Sequence, residues 1–288
     1  MAGQGRIVAV TGATGRQGGA VARRLLADGW QVRAVTRKPE GQAARALAAA
    51  GAEVVRADML EPDTLLPAFR DAYGVYSVQN FMPGGTESEI KQGRNVADAA
   101  KAVGVQHVVY GAAGPRVRGT GIASWESKLT VQAHLRGLDL PLTVLRPMAF
   151  MELMTDKDFY PAVSTWSLMP KLMGEDRPVG WICADDLGAV AARAFADPGR
   201  FVGAELELVS EVLSIAQCRE IWRDVHGRSP RGFPMPVWLF RRFVGDDLLT
   251  MWRWLRTAQL EFDPALTREL VPDALTVRQW LARRRQAT

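Results

Sequence analysis

The stretch RIVAVTGATGRQG, from Arg6 to Gly18, decides the fold of this chain. Its apolar first half predicts a β-strand, and the helical spacing of Val21, Leu25 and Leu26 behind it predicts an α-helix. Between them, glycines spaced G-x-x-G-x-x-G allow a tight turn, a close approach of a ligand to the backbone, and packing of the helix on the strand. The start of the helix adds unpaired N–H groups and a dipole that favours an anion. The stretch therefore predicts a turn that binds phosphate groups.

The alternation of strand and helix continues along the first half of the chain. Further strands are predicted at 31–36, 53–57, 75–80, 107–110 and 142–145, and helices at 41–50, 62–69, 87–103 and 128–136. Strands that alternate with helices of about 10–15 residues indicate βαβ units and a parallel sheet buried on both faces. Together with the glycine turn, this pattern predicts a dinucleotide-binding α/β fold.

The second half of the chain has a looser pattern. After Met151 it is rich in Met, Trp, Phe and Pro, and 229–243 has no single predicted element. Helices are predicted at 185–196, 214–223, 246–255 and 277–285, and a strand at 205–209. We expect a Rossmann-type doubly wound parallel sheet over 1–150, re-entered at about 181–210. A smaller, discontinuous C-terminal lobe for substrate or partner is expected over 151–180 and 211–288.

The composition is that of an ordinary globular protein. Of 288 residues, 48% are hydrophobic and 23% are charged. No apolar run approaches the roughly 18–20 residues that a membrane helix needs, so we expect a cytoplasmic protein with no membrane contact. The three histidines and two cysteines are dispersed, so no metal site is predicted. The net charge is +5, but no aromatic residue interrupts the terminal arginine run 283–285, and we expect no nucleic-acid contact.

The end of the second predicted strand indicates which nicotinamide dinucleotide binds. An acidic residue there would bind the 2′-hydroxyl of NAD, whereas a basic residue accommodates the 2′-phosphate of NADP. Arg37 and Lys38 occupy this place, and Glu40 follows only after Pro39. Arg37 offers a planar donor fork and Lys38 adds a point charge. These residues predict NADP(H), the alternative being that Arg37 is a solvated loop residue.

Polar residues also follow the third and fourth predicted strands. Asp58 and Met59 come after the third, and residues 79–81 come after the fourth. Ligands of open α/β sheets bind at the carboxyl ends of the strands, so these residues are predicted to flank adenine and the nicotinamide ribose. Asp58 is equally well explained as a capping residue for the next helix.

The chain resembles the NmrA-like group of atypical short-chain dehydrogenases over nearly its whole length. Within that group it is similar to the NADP(H)-binding redox sensors and also to isoflavone-reductase-like enzymes. The segments that carry the resemblance are Thr11–Gly19, Val32–Lys38, Gly51–Asp58, Lys91–Gly93, Ala97–Ala100, His107–Tyr110, Lys128 and Ala274–Leu281. The cofactor contacts predicted from the turn, from the strand ends and from the resemblance are Thr11, Gly12, Ala13, Thr14, Gly15, Arg16, Gln17, Gly18, Arg37, Lys38, Asp58, Met59, Gln79, Asn80, Phe81, Lys91, Lys128, Ala149, Phe150, Met151 and Glu152.

The expected catalytic residues depart from the pattern of short-chain dehydrogenases. Those enzymes carry Tyr-x-x-x-Lys and a nearby serine, with the tyrosine as general acid. Lys128 is present here, but Ser124 stands four positions before it, and the fifth strand is followed by no serine. Ser124 is too weak an acid to replace tyrosine unaided. The predicted catalytic residues are therefore Lys128 and, as an alternative proton donor, Tyr160.

Two functions are compatible with this sequence. The first is an NADPH-dependent reductase of a bulky unsaturated or aromatic small molecule. Its substrate pocket is predicted to include Trp125, Phe150, Met151, Trp166, Met169 and Trp181, although large residues of this kind more often belong to a core. The second is a non-enzymatic sensor of NADPH and NADP⁺ that acts on a regulatory protein partner. The missing tyrosine favours the sensor, and the apolar lobe favours the reductase.

Overall fold

The computed structural model describes residues 5–79, 81, 84–155, 164–232 and 235–286. The chain forms two compact units, each assembled from separate segments. The first unit comprises Met1–Arg118, Ser124–Pro147 and Ala184–Glu207. The second comprises Gly119–Ala123, Met148–Cys183 and Leu208–Thr288. The chain thus leaves the first unit for the short segment Gly119–Ala123, again for Met148–Cys183, and a last time at Leu208.

The first unit is built on a seven-stranded sheet. Its strands are β1 (Ile7–Val10), β2 (Gln31–Thr36), β3 (Glu53–Arg56), β4 (Gly74–Ser77), β5 (His107–Gly111), β6 (Leu142–Pro147) and β9 (Glu205–Leu208), in the order β3-β2-β1-β4-β5-β6-β9. Neighbours among the first six strands pair in parallel. The predicted Rossmann-type parallel sheet is confirmed.

Helices flank this sheet, and those between its first six strands follow the predicted alternation. They are α1 (Arg16–Ala27), α2 (Gln42–Ala49), α3 (Pro62–Phe69), α4 (Gly85–Ala102), α5 (Ala123–Gly137), α7 (Ala184–Ala196) and α8 (Pro198–Phe201). The prediction of a helix from residue 128 was wrong at its start, because polar Ser124 and Glu126 obscure the apolar spacing of its first turn. Ser124 and Lys128 therefore lie one turn apart on the same helix.

The central strands of the sheet are buried and mostly apolar. Val8, Ala9 and Val10 of β1 have no exposed surface, and every residue of β5 is buried. Helices α3, α4 and α5 pack with the strands in one apolar cluster, which includes Leu65, Val96 and Leu135. Each such side chain contributes about 1.5–3 kcal/mol when fully buried.

Strand order reverses beside β1, and this reversal positions the site. Val10 of β1 pairs with Ala34 of β2 on one side and with Tyr76 of β4 on the other. The helices that follow β1 and β4 leave the carboxyl edge of the sheet at this place. In open α/β sheets such a reversal opens a crevice that binds ligands.

The second unit contains a small mixed sheet that the sequence does not predict. Its strands are β7 (Ala149–Phe150), β8 (Val179–Ile182) and β10 (Glu211–Leu213), in the order β10-β8-β7. Strand β8 is antiparallel to β10 and parallel to β7. Strands of two to four residues are too short to show an alternating pattern.

The remaining elements of the second unit are short helices around an apolar core. They are a 3-10 turn (Met151–Met154), a π-helical segment (Ser164–Leu168), α6 (Met169–Met173), α9 (Ile215–His226), α10 (Val237–Val244), α11 (Asp247–Thr257), α12 (Ala265–Leu270) and α13 (Val277–Gln286). Helix α10 occupies part of the segment for which no single element was predicted. Within the described ranges, no helix is long and apolar enough to cross a membrane.

Candidate functional site

The three glycines of the turn after β1 meet three different backbone needs. Gly12 has a φ of +58°, in the left-handed region that favours glycine. A Cβ at Gly18 would lie 2.3 Å from the carbonyl oxygen of Gly12, so helix α1 packs against the turn only without a side chain. Gly15 is exposed, and a Cβ there would meet only the Gly12 oxygen, at 3.2 Å. The open side of Gly15 is therefore where a ligand can approach the backbone.

The N-terminus of α1 is suited to an anion. Gly15 caps the helix without a side-chain hydrogen bond, and no acidic residue stands in the first turn. Thr14 is exposed beside Gly15, and Ala13 is buried below it. Backbone N–H groups at such a helix start attract phosphate through hydrogen bonds and the helix dipole.

Two predicted contact residues of this turn have side chains bound within the protein. Thr11 is fully buried, its hydroxyl donates to the Val78 carbonyl at 3.1 Å, and it accepts from the Val78 N–H at 2.9 Å. These bonds tie the ends of β1 and β4 together. The Gln17 side chain accepts a hydrogen bond of 3.3 Å from the buried Tyr76 hydroxyl. Burial raises the pKa of Tyr76, so this phenol stays a donor.

The basic residues after β2 are exposed and have a third basic neighbour. In the register of β2 and β3, Thr36 stands opposite Arg56, which places Arg56 beside Arg37. Arg56 donates to the Arg37 carbonyl at 3.2 Å and pairs with the Glu40 carboxylate at 2.5 Å. The one acid of this loop is thus paired with a cation. Arg56 is not apparent from the sequence, because its proximity depends on the strand register.

The residues after β3 serve mainly the local backbone. The Asp58 carboxylate accepts from the Leu60 N–H at 2.9 Å, and the Met59 carbonyl accepts from the Asn95 amide at 2.8 Å. Asp58 therefore holds the turn that leads into α3, but it does not cap the helix, because the N-cap is Glu61 and has no side-chain cap. A cofactor contact by Asp58 or Met59 stays a prediction.

Gln79 lies directly after β4, beside the reversal of strand order. It is 7% exposed, and its Nε2 donates to the Ser77 hydroxyl at 2.9 Å. Its Oε1 is buried and has no hydrogen-bond partner among the described residues. Buried polar atoms are normally hydrogen-bonded. A bound ligand can supply the donor for the Gln79 Oε1. Phe81 is half-buried, and Asn80 lies outside the described residues.

Lys128 forms a buried ion pair that the sequence does not indicate. Its Nζ on α5 donates to the carboxylate of Glu89 on α4, and the Ser127 hydroxyl donates to the other carboxylate oxygen. Glu89 is fully buried, and the Lys128 side chain is 12% exposed. Lys91, a further predicted contact on α4, is exposed.

The remaining predicted cofactor residues belong to the second unit. Ala149 and Phe150 form β7 and are half-buried, whereas Met151 and Glu152 are buried in the 3-10 turn that follows. Tyr160 lies outside the described residues. Their roles stay predictions.

The predicted pocket residues are mostly buried. Met151, Trp166, Met169 and Trp181 belong to the core of the second unit. Both tryptophans have carbonyl partners there: Trp166 donates to Met154 and Trp181 to Leu213, each at 3.0 Å. In the first unit, Trp125 is 7% exposed and packs on Gly114, where a Cβ would lie 2.6 Å from the indole ring. Phe150 is the most accessible of the six.

Comparisons with known proteins agree with this fold. The chain matches the NmrA-like family over residues 4–276. It is 32% identical over 260 residues to the NmrA-like family domain-containing oxidoreductase FrzB of Cladobotryum sp.. This alignment covers 81% of this chain and 77% of FrzB.

Two solved structures share the architecture. NmrA, a negative transcriptional regulator, in complex with NADP has a TM-score of 0.80 and 22% identity, covering 97% of this chain and 95% of NmrA. The Citrobacter sp. triphenylmethane reductase complexed with NADP(H) has a TM-score of 0.77 and 19% identity, covering 97% of this chain and 99% of the reductase. The family match and the similarity to FrzB show that this chain belongs to the NmrA-like family.

Proposed function

We propose that this chain binds NADP(H) at the carboxyl edge of the seven-stranded sheet and reduces a bulky unsaturated or aromatic small molecule. The observation that carries the proposal is the glycine turn. Gly15 leaves one side of the backbone open at the start of a helix that has no acidic residue in its first turn. A pyrophosphate fits this place through backbone N–H groups and the helix dipole.

Two further features fit the rest of the cofactor. Arg37 and Lys38 supply positive charge beside the position of the adenosine 2′-phosphate. The Glu40 carboxylate is paired with Arg56, so its negative charge does not repel that phosphate. The buried Oε1 of Gln79 needs a donor, which a ribose hydroxyl provides.

The chain's own residues would orient the reaction. The bound nicotinamide supplies the hydride. Lys128 is proposed to donate hydrogen bonds to the nicotinamide ribose, as the resemblance implies. Tyr160 is the proposed proton donor, and Phe150 with its neighbours in the second unit is proposed to face the substrate.

Two relatives support the reductase. FrzB is named an oxidoreductase, and the Citrobacter sp. enzyme is named for the reduction of triphenylmethane compounds, which are bulky and aromatic. A substrate of that class suits a unit rich in Trp, Met and Phe.

A sensor of NADPH and NADP⁺ is the second candidate function. NmrA, which shares the fold, is a negative transcriptional regulator. The serine at position 124, where short-chain dehydrogenases carry their catalytic tyrosine, favours this candidate. A shared fold does not fix the chemistry. The sensor would bind the cofactor without turnover and act on a regulatory protein partner.

Calorimetric titration of the purified protein with NADPH and NADH tests the cofactor assignment. We expect NADPH to bind at least about tenfold more tightly, the equivalent of about 1.4 kcal/mol. Equal affinity for the two cofactors would remove the role given to the basic residues after β2. No binding of either would overturn the proposed function.

A further inference from the structure

The buried carboxylate of Glu89 has no role in the function as proposed so far. It lies on α4, and both of its oxygens accept hydrogen bonds from consecutive residues of α5, Ser127 and Lys128. Glu89 has no exposed surface. Burying a carboxylate is costly unless it is paired and hydrogen-bonded, and Lys128 and Ser127 meet both conditions here.

The two helices are held close together at this point. Gly93 is one turn after Glu89, and Val131 is one turn after Ser127. A Cβ at Gly93 would lie 2.4 Å from a Val131 methyl group, so the helices approach this closely only because residue 93 is glycine. Glu89 is therefore confined between the two helices, and its ion pair restrains the Lys128 ammonium.

A hydrogen bond from strand β5 also restrains the backbone of Lys128. The hydroxyl of Tyr110, at the end of β5, donates to the Lys128 carbonyl at 3.4 Å. Burial, and next the negative charge of Glu89, raises the pKa of Tyr110, so the phenol stays a neutral donor. Lys128 is thus fixed through its side chain by Glu89 and through its carbonyl by Tyr110.

We infer that Glu89 is a positioning residue, which aims the Lys128 ammonium at the nicotinamide ribose from the carboxyl edge of the sheet. Both residues lie in the first two turns of helices that follow neighbouring strands, β4 and β5. An ammonium has three donors, of which Glu89 takes one. This inference rests on the proposed function, because it requires that the cofactor binds at this edge.

A double-mutant cycle on NADPH affinity tests the inference without any assay of turnover. The variants are Glu89→Gln, Lys128→Met and the pair together, each checked for folding by near-UV circular dichroism. If Glu89 acts through Lys128, Glu89→Gln weakens NADPH binding by about tenfold in the wild-type background and by less than about twofold in the Lys128→Met background. A merely structural role would cost the same affinity in both backgrounds, and that result would overturn the inference.

The chain provides a matched control on the same two helices. Asp98 of α4 pairs with His134 of α5 at 2.7 Å, but both side chains are partly exposed, and they lie further along their helices than Glu89 and Lys128 do. Asp98→Asn removes a carboxylate from the same helix pair and is expected to leave NADPH affinity unchanged. A loss equal to that of Glu89→Gln would mean that any loosening of the helix pair weakens binding, which contradicts positioning by Glu89.

A second variant decides the question if Lys128→Met does not fold. Glu89→Asp keeps the charge but is one methylene shorter, so positioning predicts a loss of NADPH affinity of about threefold or more, whereas unchanged affinity rejects positioning. If the wild-type protein binds NADPH and Glu89→Gln does not weaken it, the inference fails alone. If the wild-type protein binds no NADPH, the proposed function fails and the inference with it.

Discussion

Gly15 and Gly18 lie three residues apart in one turn, yet a side chain would meet different surroundings at each. At Gly18 a Cβ collides with backbone, whereas at Gly15 it contacts only one oxygen at 3.2 Å. The φ of Gly15 is −92°, which any residue adopts. We therefore predict that Gly15→Val folds but binds neither NADPH nor NADH, because its side chain occupies the place of the pyrophosphate. Circular dichroism and calorimetry on this variant check both statements, and normal NADPH binding by folded Gly15→Val would contradict them.

Arg37 is exposed at the end of β2, so we expect its side chain to contribute to ligand binding rather than to the stability of the fold. A charge-assisted hydrogen bond to phosphate is worth about 1.5–3 kcal/mol. Arg37→Ala is therefore predicted to weaken NADPH binding by about one to two powers of ten and to leave NADH almost unchanged. Calorimetry with both cofactors measures the two losses. Equal losses would show that Arg37 does not contact the 2′-phosphate.

At the scale of elements, the ion pair of Glu89 and Lys128 between α4 and α5 means that a Lys128 variant affects stability as well as function. Lys128→Ala leaves the Glu89 carboxylate buried without its cation, which typically costs about 3–5 kcal/mol of stability. In a reductase it also lowers kcat by about a hundredfold or more. We predict that Lys128→Ala combined with Glu89→Gln regains most of the stability in urea unfolding but none of the turnover. Turnover that returns with stability would mean that Lys128 only supports the fold.

We predict that buried His107 of β5 makes the stability of the protein depend on pH. His107 of β5 is buried, its Nε2 lies 2.8 Å from the Thr143 hydroxyl of β6, and burial lowers its pKa from 6.5 to about 4. Between these two values the unfolded chain binds a proton that the folded chain does not. The free energy of unfolding is therefore unaffected by His107 above about pH 6.5. It falls as the pH drops towards 4, by up to about 1.4 kcal/mol per pH unit.

The measurement is urea unfolding at pH 7, 6 and 5 for the wild type and for His107→Gln. Glutamine does not titrate, so this variant is expected to lose less stability than the wild type between pH 7 and 5. Parallel losses in the two proteins would assign the dependence to other groups. The control matters because carboxylates begin to titrate below about pH 5.

The elements that the sequence predicts well have strong local patterns. Strand β2 and helix α3 have the predicted ends, because β2 begins and ends with the polar residues Gln31 and Thr36 and α3 starts at Pro62. The ion pair of Glu89 and Lys128 joins residues 39 positions apart, and no local pattern shows that α4 and α5 meet there. Arg56 escapes prediction for the same reason, because its neighbours are set by the pairing of β2 with β3.

At the scale of the whole molecule, the fold serves a reductase and a sensor equally well. What distinguishes the two is whether a hydride leaves the bound cofactor. The second unit supplies an extensive aromatic and Met-rich core, and most of the predicted pocket residues are part of it. The substrate contacts are therefore expected at less buried positions such as Phe150, with Tyr160 as the proton donor.

The most direct test of the reductase is the oxidation of NADPH by the wild-type protein against a panel of bulky quinones, imines and enones. We predict turnover above the protein-free background with at least one acceptor, supported by NADPH far better than by NADH. The contradicting result is tight NADPH binding with no turnover across the panel, together with a protease sensitivity that differs between the NADPH and NADP⁺ complexes. That outcome would make the protein a sensor of the cofactor's redox state.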